Sequence, residues 1–136
     1  MTPYIGEKIV DDSGNERVTE PTLRRRVISP ETAETISKML VSAVRNGFEN
    51  RAGVKGYFVA GKTGTAQVSR TDGRGYSDNV IHTFVGYAPA FSPRFLILLQ
   101  LNDPKGNRFA ANTLTPAFHE LAQFILNYYE VPPDER

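Results

Sequence analysis

Residues 56–67 carry side chains that could bind an anion, and two patterns overlap in them. In one interpretation, GYFVAGKT matches the phosphate-loop pattern G-x-x-x-x-G-K-[ST] letter for letter, and in such a loop backbone amides and a lysine bind nucleotide phosphates. In the other, Lys62-Thr63-Gly64-Thr65 lies in an extended strand that offers an ammonium group, two hydroxyls and a bare stretch of backbone to a ligand. The flanking residues distinguish the two interpretations.

The phosphate-loop interpretation needs a hydrophobic strand before the first glycine and a helix directly after the lysine and threonine. Residues 49–55, ENRAGVK, are not a hydrophobic strand. Tyr57, Phe58 and Val59 favour a strand over a tight loop. Gly64 and Gly73 follow the motif and disfavour a helix there. We therefore expect no nucleotide ligand.

The strand interpretation is physically plausible on its own. In a strand over residues 59–68, Thr63 and Thr65 point to one face, while Gly64 leaves the other face bare. A glycine inside a strand often marks a close approach by a ligand, and a strand edge can bind an extended peptide. Two hydroxyls and a lysine suit a carboxylate, because hydrogen bonds to charged groups contribute about 1.5–3 kcal/mol each. A plain strand with surface threonines is the alternative.

Lys62 does not fit this arrangement directly. Strict alternation places it on the face opposite Thr63 and Thr65. It can share their site if the strand is strongly twisted, or if its long side chain wraps around the strand edge.

Two helices are predicted, one before this segment and one after it. The first covers residues 29–47, because Ser29 and Pro30 are typical of a helix start and apolar residues then recur at helical spacing. The second covers residues 113–130, with Pro116 in its first turn and an apolar stripe along one side.

Three strands are predicted between the helices, within residues 57–102. Residues 57–68 form the first strand, and the turn-rich residues 69–79 form a loop. Residues 80–87 alternate in polarity, and residues 95–101 are a nearly continuous apolar run, which is typical of a strand covered on both faces. The sequence therefore predicts an α+β fold, in which helices cover an antiparallel three-strand meander.

The composition is that of one globular domain or a large piece of one. The chain has 136 residues and a net charge of +1, so electrostatics give no reason to expect nucleic acid or a membrane surface as a partner. It has no cysteine, which excludes disulfides and thiolate chemistry, and we expect neither a membrane-spanning segment nor a signal peptide within it. Within residues 1–28, the turn-forming cluster at 11–15 predicts two short strands on either side of it, followed by a linker.

Further polar and aromatic residues are interpreted as structural. His82 and His119 are single histidines that form no metal set, so we expect neither a metal nor a cofactor. Tyr128 and Tyr129 are expected to pack at a helix end.

Residues 59–67, VAGKTGTAQ, resemble the Lys-Thr-Gly strand of the class B penicillin-binding proteins, the monofunctional peptidoglycan D,D-transpeptidases. Within that class the match is nearer to the septal, division-specific type than to the elongation type. The resemblance runs along most of the chain and implies that residues 1–136 form part of a β-lactamase/transpeptidase-like fold. Other segments that resemble the family follow in its order, at residues 26–33, 83–89, 102–107 and 128–134.

The resemblance implies a serine enzyme with transpeptidase or carboxypeptidase activity. A serine attacks the penultimate D-Ala carbonyl of a stem peptide, and β-lactams mimic D-Ala-D-Ala. By match, Lys62 supplies positive charge and hydrogen bonds, and the hydroxyls of Thr63 and Thr65 hold the carboxylate. By the same match, Gly64 corresponds to the residue that lets the substrate lie along the strand, and the Thr65 N–H corresponds to an oxyanion donor.

The family nucleophile lies in a Ser-x-x-Lys motif that precedes this strand, and no serine in the chain has a lysine three residues later. The chain thus resembles the C-terminal portion of a transpeptidase domain, and residues 1–136 alone are expected to be inactive. Ser77-Asp78-Asn79 matches the family's Ser-x-Asn motif in letters. It follows the strand instead of preceding it and falls in a predicted loop, so we interpret it as a coincidence. Because the family sheet takes strands from before the serine, an unpaired edge is expected.

The resemblance also implies a location and partners. The location is the periplasmic, extracytoplasmic face of the bacterial cytoplasmic membrane, with an N-terminal anchor outside this sequence. The partners are D-Ala-D-Ala stem peptides, β-lactam antibiotics, and other cell-wall or division proteins, with no nucleic acid and no nucleotide. Two alternatives use the same strand: a β-lactam sensor or receptor domain, and a non-catalytic structural domain of the same fold.

Overall fold

The computed structural model describes residues 2–47 and 49–135, and the chain divides into two units, Met1–Pro30 and Glu31–Arg136. The first unit contains a hairpin in which strand β1 (Lys8–Val10) pairs antiparallel with strand β2 (Glu16–Val18). The turn between them closes on the Asp11 carboxylate, which accepts hydrogen bonds from the Ser13 and Asn15 amides, each at 2.9 Å. This is a side-chain-closed turn of the kind that aspartate favours.

The second unit contains two helices and one sheet. Helix α1 (Pro30–Gly47) is followed by strands β3 (Ala60–Ser69), β4 (Tyr76–Ala88) and β5 (Phe95–Asn102), and then by helix α2 (Ala110–Tyr128). The three strands form one antiparallel sheet in the order β3-β4-β5. The predicted α+β fold with a three-strand meander is confirmed.

The core lies between one face of the sheet and α2. Phe84 of β4 and Phe118 of α2 are both fully buried, and their ring centroids lie 4.9 Å apart. Alternate residues of β4 point to this face, while α2 contributes a stripe at helical spacing. The buried residues of this stripe are Ala110, Leu114, Thr115, Phe118, Ala122 and Leu126.

The structure corrects the predicted limits of two strands. β4 begins at Tyr76, so Ser77-Asp78-Asn79 lies in a strand and not in a loop. Pairing with β3 overrides the turn preference of these polar residues, since Tyr76 is the cross-strand partner of Ser69. β3 begins at Ala60, because the backbone just before it bonds the C-terminal tail: the Phe58 amide donates to Asp134 Oδ1 at 2.9 Å.

The expectation that β5 is covered on both faces is wrong for the described residues. Phe95, Ile97 and Leu99 pack against the core, whereas Leu96 and Leu98 are each 64% exposed. A continuous apolar run cannot by itself show which of its faces are covered.

Helix α2 starts at Ala110, three residues before its predicted start at 113, and Pro116 therefore lies inside the helix and not in its first turn. The helix ends at Tyr128, before the predicted limit of 130. Sequence propensity fixes helix ends only to within a few residues. Here tertiary hydrogen bonds to the sheet, described below, hold the additional first turn. Among the described residues, no helix is both long enough and apolar enough to cross a bilayer.

Candidate functional site

The cross-strand register of β3 sets which side chains can act together. Thr63 lies opposite Phe84, and Thr65 lies opposite His82, both of which are fully buried on the α2 side of the sheet. Because cross-strand partners point to the same face, the two threonine side chains also lie on the α2 side. Lys62 lies opposite Val85 and belongs to the other face, as strict alternation predicts.

Thr63 and Thr65 line one cavity of about 370 Å³ at the first turn of α2. Arg51 enters this cavity from the loop before β3, where its guanidinium donates to Asn112 Oδ1 at 2.9 Å and to Glu49 Oε2 at 2.5 Å. The cavity therefore combines hydroxyls, a guanidinium that is paired with the Glu49 carboxylate, and the positive end of a helix. Its remaining lining residues are Gly47, Phe109, Ala110 and Ala111.

Thr65 connects this cavity to a second one. Its Oγ1 accepts a hydrogen bond from the backbone amide of Ala110 at 3.3 Å. Thr65 and Phe109 also line a second cavity, of about 630 Å³, whose other lining residues include Gln67 and Asp103. A hydroxyl at this junction can contact a ligand that lies along β3.

The Lys62 side chain bends back to its own strand. Its Nζ donates to the carbonyl oxygen of Thr63 at 2.9 Å, and the residue is exposed. The long side chain thus brings the ammonium group to the backbone between the two threonines, although its Cβ lies on the other face. Lys62 does not line the cavity that Thr63 and Thr65 share, so its place in a common site stays a prediction.

Gly64 separates the two threonines and lies close to β4. A Cβ added to Gly64 would collide with Thr83 Oγ1, and that hydroxyl lies 3.5 Å from the Gly64 carbonyl oxygen. Contact with Thr83 therefore leaves no room for a larger side chain at position 64. This packing explains the glycine in addition to the ligand approach that the sequence pattern indicates.

His82 is more closely connected to this region than its sequence context indicated. It is fully buried, and both of its ring nitrogens face the chain at the start of α2: Nδ1 lies 3.0 Å from Thr113 Oγ1, and Nε2 lies 3.3 Å from the Arg108 carbonyl oxygen. The alternation of β4 did place His82 on the same face as Phe84. Its partners come from a distant segment, so the local pattern carried no signal for them.

Other groups lie apart from this region. Ser77 Oγ donates to the Val68 carbonyl at 3.0 Å, toward the β3–β4 turn. In that turn Arg70 donates to the Asp72 carboxylate, which lowers the pKa of Asp72 and raises that of Arg70. Within residues 2–47 and 49–135, no three histidine or acidic side chains are arranged to hold a metal ion.

Comparison with known proteins identifies the family. The family model described as the penicillin binding protein transpeptidase domain matches residues 1–123. The chain belongs to the penicillin-binding protein transpeptidase family. Penicillin-binding protein PbpB of Mycolicibacterium smegmatis is 39% identical over 142 residues, which cover 97% of this chain and 22% of the relative. Stage V sporulation protein D of Bacillus subtilis is 37% identical over 135 residues, covering 97% of this chain and 21% of the relative.

Other relatives carry the name of an activity. Peptidoglycan D,D-transpeptidase FtsI of Escherichia coli is 32% identical over 120 residues, covering 87% of this chain and 20% of the relative. These relatives confirm the predicted membership of class B. The chain spans about a fifth of the length of the curated relatives it matches.

Solved structures of this family share the fold. Penicillin-binding protein 3 of Mycobacterium tuberculosis, complexed with ampicillin, superposes with a TM-score of 0.80 at 33% identity. The match covers 93% of this chain and 30% of that one. The same protein has also been solved in complex with aztreonam, with the same TM-score.

Proposed function

We propose that residues 1–136 supply the substrate-binding strand of a peptidoglycan D,D-transpeptidase that cross-links stem peptides through an acyl-serine intermediate. The observation that carries this proposal is the arrangement at β3. Two threonine hydroxyls, on Thr63 and Thr65, line one cavity, and the Lys62 ammonium group lies at the backbone between them. Membership of the transpeptidase family supports it.

The hydroxyls of Thr63 and Thr65 bind the carboxylate of the terminal D-Ala or of a β-lactam. Hydroxyl groups donate to carboxylate oxygens, and such charge-assisted bonds contribute about 1.5–3 kcal/mol each. Lys62 adds positive charge beside them. Because Lys62 is exposed in the described chain, its contribution depends on how far the bound substrate excludes water.

The substrate backbone lies along the edge of β3. Among the described residues, β3 pairs with β4 on one side only, so its outer N–H and C=O groups can bond an extended peptide. Gly64 leaves room for that peptide on its other face. The Thr65 N–H serves as one oxyanion donor, and removal of such a donor typically costs about 2.7–4 kcal/mol in the transition state.

The reaction transfers an acyl group twice. A serine oxygen from a Ser-x-x-Lys motif attacks the penultimate D-Ala carbonyl, the peptide C–N bond breaks, and D-Ala leaves with the serine proton. An amine of a neighbouring stem then attacks the ester, a new C–N bond forms, the C–O bond to serine breaks, and a proton of that amine passes to the serine oxygen. With a β-lactam, the ring amide opens and its nitrogen stays attached, so the acyl-enzyme persists.

We place this reaction at the extracytoplasmic face of the bacterial cytoplasmic membrane, where peptidoglycan stem peptides are cross-linked. An N-terminal segment outside residues 1–136 would provide the anchor. The other proposed partners are cell-wall and division proteins, in keeping with the septal type that the sequence resembles.

The test is intact mass spectrometry with a penicillin. A transpeptidase chain that contains residues 1–136 together with an upstream Ser-x-x-Lys motif should gain one penicillin mass, and its Ser→Ala variant should gain none. Residues 1–136 alone should gain no stable adduct. A stoichiometric adduct on residues 1–136 alone would contradict the proposed division of roles.

A turnover assay then separates an enzyme from a β-lactam sensor. The enzyme should release D-Ala from a stem peptide and join the remaining acyl group of that peptide to an acceptor amine. A sensor would instead be acylated by a β-lactam without turning over a stem peptide. Acylation without D-Ala release would favour the sensor, and absence of both would favour a non-catalytic domain.

A further inference from the structure

A buried histidine connects the sheet below Thr65 to the start of α2. The Nε2 atom of His82 faces the Arg108 carbonyl oxygen at 3.3 Å, and its Nδ1 faces Thr113 Oγ1 at 3.0 Å. Since a carbonyl oxygen only accepts, Nε2 must carry the hydrogen of its bond to Arg108. One side chain therefore holds both ends of residues 108–113.

The same segment contacts Thr65. His82 is the cross-strand partner of Thr65, and such partners on one face have Cβ atoms about 4.5–5.5 Å apart. The Ala110 amide, which lies between the two residues that His82 holds, donates to Thr65 Oγ1. Residues 108–113 are thus bonded to the sheet three times, twice by His82 and once by Thr65.

The Ala110 amide also fixes the role of the Thr65 hydroxyl. An amide N–H can only donate, so Thr65 Oγ1 accepts on the side that faces α2 and keeps its own hydrogen for another acceptor. A carboxylate can only accept. A threonine held in this way has its hydroxyl hydrogen available for a carboxylate, and the bond from Ala110 favours that orientation.

We propose that His82 is a positioning residue for Thr65, holding residues 108–113 so that the Ala110 amide orients the hydroxyl that binds the ligand carboxylate. This inference rests on the proposed function, because it assumes that Thr65 binds that carboxylate. It assigns His82 a role in the reaction beyond the structural role that its sequence context indicated.

The test compares acylation by a penicillin with acylation by its methyl ester, which lacks the carboxylate anion. Both second-order rate constants are measured in a transpeptidase chain that contains residues 1–136 and an upstream Ser-x-x-Lys motif. His82→Ala should lower the acid-to-ester rate ratio about tenfold, because the oriented hydrogen bond is stronger to the charged carboxylate than to the neutral ester. A purely structural defect would lower both rates together and leave the ratio unchanged.

His119 provides a matched control on α2. Its Nδ1 lies 2.6 Å from the Gly53 carbonyl oxygen, away from residues 108–113, so His119→Ala should leave the ratio unchanged. His82→Gln retains a donor that can reach the Arg108 carbonyl and should restore part of the ratio. Thr113→Val removes the partner of Nδ1 with little change in shape, together with the bond from Thr113 Oγ1 to the Ala110 carbonyl oxygen at 3.3 Å, and should lower the ratio about threefold.

A double-mutant cycle checks that the effect passes through Thr65. His82→Ala should change the ratio little in a Thr65→Val background, since both changes act on one hydroxyl. If His82→Ala folds and the ratio is unchanged, or if the two effects are additive, the inference is wrong and the proposed function is not affected. If His82→Ala does not fold, an unchanged ratio in Thr113→Val overturns the inference. Failure of the unsubstituted protein to be acylated would instead overturn the proposed function.

Discussion

The backbone amide of Ala110 donates a hydrogen bond to Thr65 Oγ1 at 3.3 Å. Helix α2 therefore begins in direct contact with the strand that carries the proposed carboxylate-binding hydroxyls. Ala110 is buried, so its N–H needs a partner within the protein, and Thr65 supplies it. Thr65 Oγ1 therefore both accepts the bond that holds the start of α2 and belongs to the hydroxyl that is proposed to bind the ligand carboxylate.

Thr65→Val should slow acylation by a penicillin about tenfold to a hundredfold, since it removes a charge-assisted bond of about 1.5–3 kcal/mol. It should lower the free energy of unfolding by only about 1–3 kcal/mol, through the unpaired Ala110 amide. Thr65→Ser retains the hydroxyl and should keep most of the rate. The measurements are stopped-flow acylation of a chain with an upstream Ser-x-x-Lys motif, and denaturant unfolding of the same proteins.

Thr71→Val is the control for Thr65→Val, because Thr71 is an exposed threonine in the turn between β3 and β4. It should change neither acylation nor stability. Equal acylation rates for Thr65→Val and the unsubstituted protein would refute the role assigned to the Thr65 hydroxyl.

The β3 site shows which features local sequence can predict. The two-residue period of a strand predicts that Thr63 and Thr65 share one face, and the register of β3 with β4 confirms that they do. The return of Lys62 Nζ to the Thr63 carbonyl depends on side-chain torsions that no residue pattern encodes. The bond from Ala110 to Thr65 joins residues 45 positions apart, and only the assembled sheet and helix bring them together.

The errors in the fold have a similar origin. The polar residues Ser77, Asp78 and Asn79 have turn propensity, but cross-strand pairing with β3 extends β4 over them. The apolar run of β5 predicts burial on two faces, yet Leu96 and Leu98 are exposed in the described chain. Sequence propensity gives the local preference of a residue. Which residues pair in a strand, and which faces of a strand are buried, are set by other segments of the chain.

Gly64→Ala should destabilise the protein by about 1–3 kcal/mol, because its new Cβ would meet Thr83 Oγ1 inside a paired strand. The double variant Gly64→Ala with Thr83→Ala should recover most of that loss, since it removes the colliding hydroxyl. Denaturant unfolding of residues 1–136 measures both effects.

Gly73→Ala is the matched control for Gly64→Ala, because a Cβ at Gly73 would meet nothing within 4 Å. It should leave the free energy of unfolding within about 0.5 kcal/mol of the original value. If the double variant is no more stable than Gly64→Ala alone, the collision with Thr83 is not the cause.

Gly86→Ala should be more damaging than Gly64→Ala. Its Cβ would lie 2.6 Å from Phe118 Cε2 and 2.9 Å from Phe84 Cε1, and both rings are fully buried. A packed aromatic pair cannot move aside without distorting the sheet or α2, so we expect a loss of about 3 kcal/mol or more. Calorimetric melting of residues 1–136 checks this order, and a Gly86→Ala protein that melts above Gly64→Ala would contradict it.

Asp11 makes the hairpin of the first unit sensitive to acid. The hydrogen bond from the Asn15 side chain, followed by those from the Asn15 and Ser13 amides, holds the pKa of Asp11 below its usual 3.8. Because the folded-state pKa is depressed, the stabilisation is fully present above pH 3.8 and is lost as the pH falls through the lower folded value. The amide NMR signals of Ser13 and Asn15 should therefore shift together, with a midpoint below 3.8.

Asn15→Ala tests the cause of the Asp11 shift. It removes the strongest of the contacts that lower this pKa, so the NMR midpoint should rise toward 3.8. Asp11→Asn should abolish the transition altogether, because an amide does not titrate in this range. A midpoint that stays the same in Asn15→Ala would show that the backbone amides alone lower the pKa, and that the side chain of Asn15 does not close the turn.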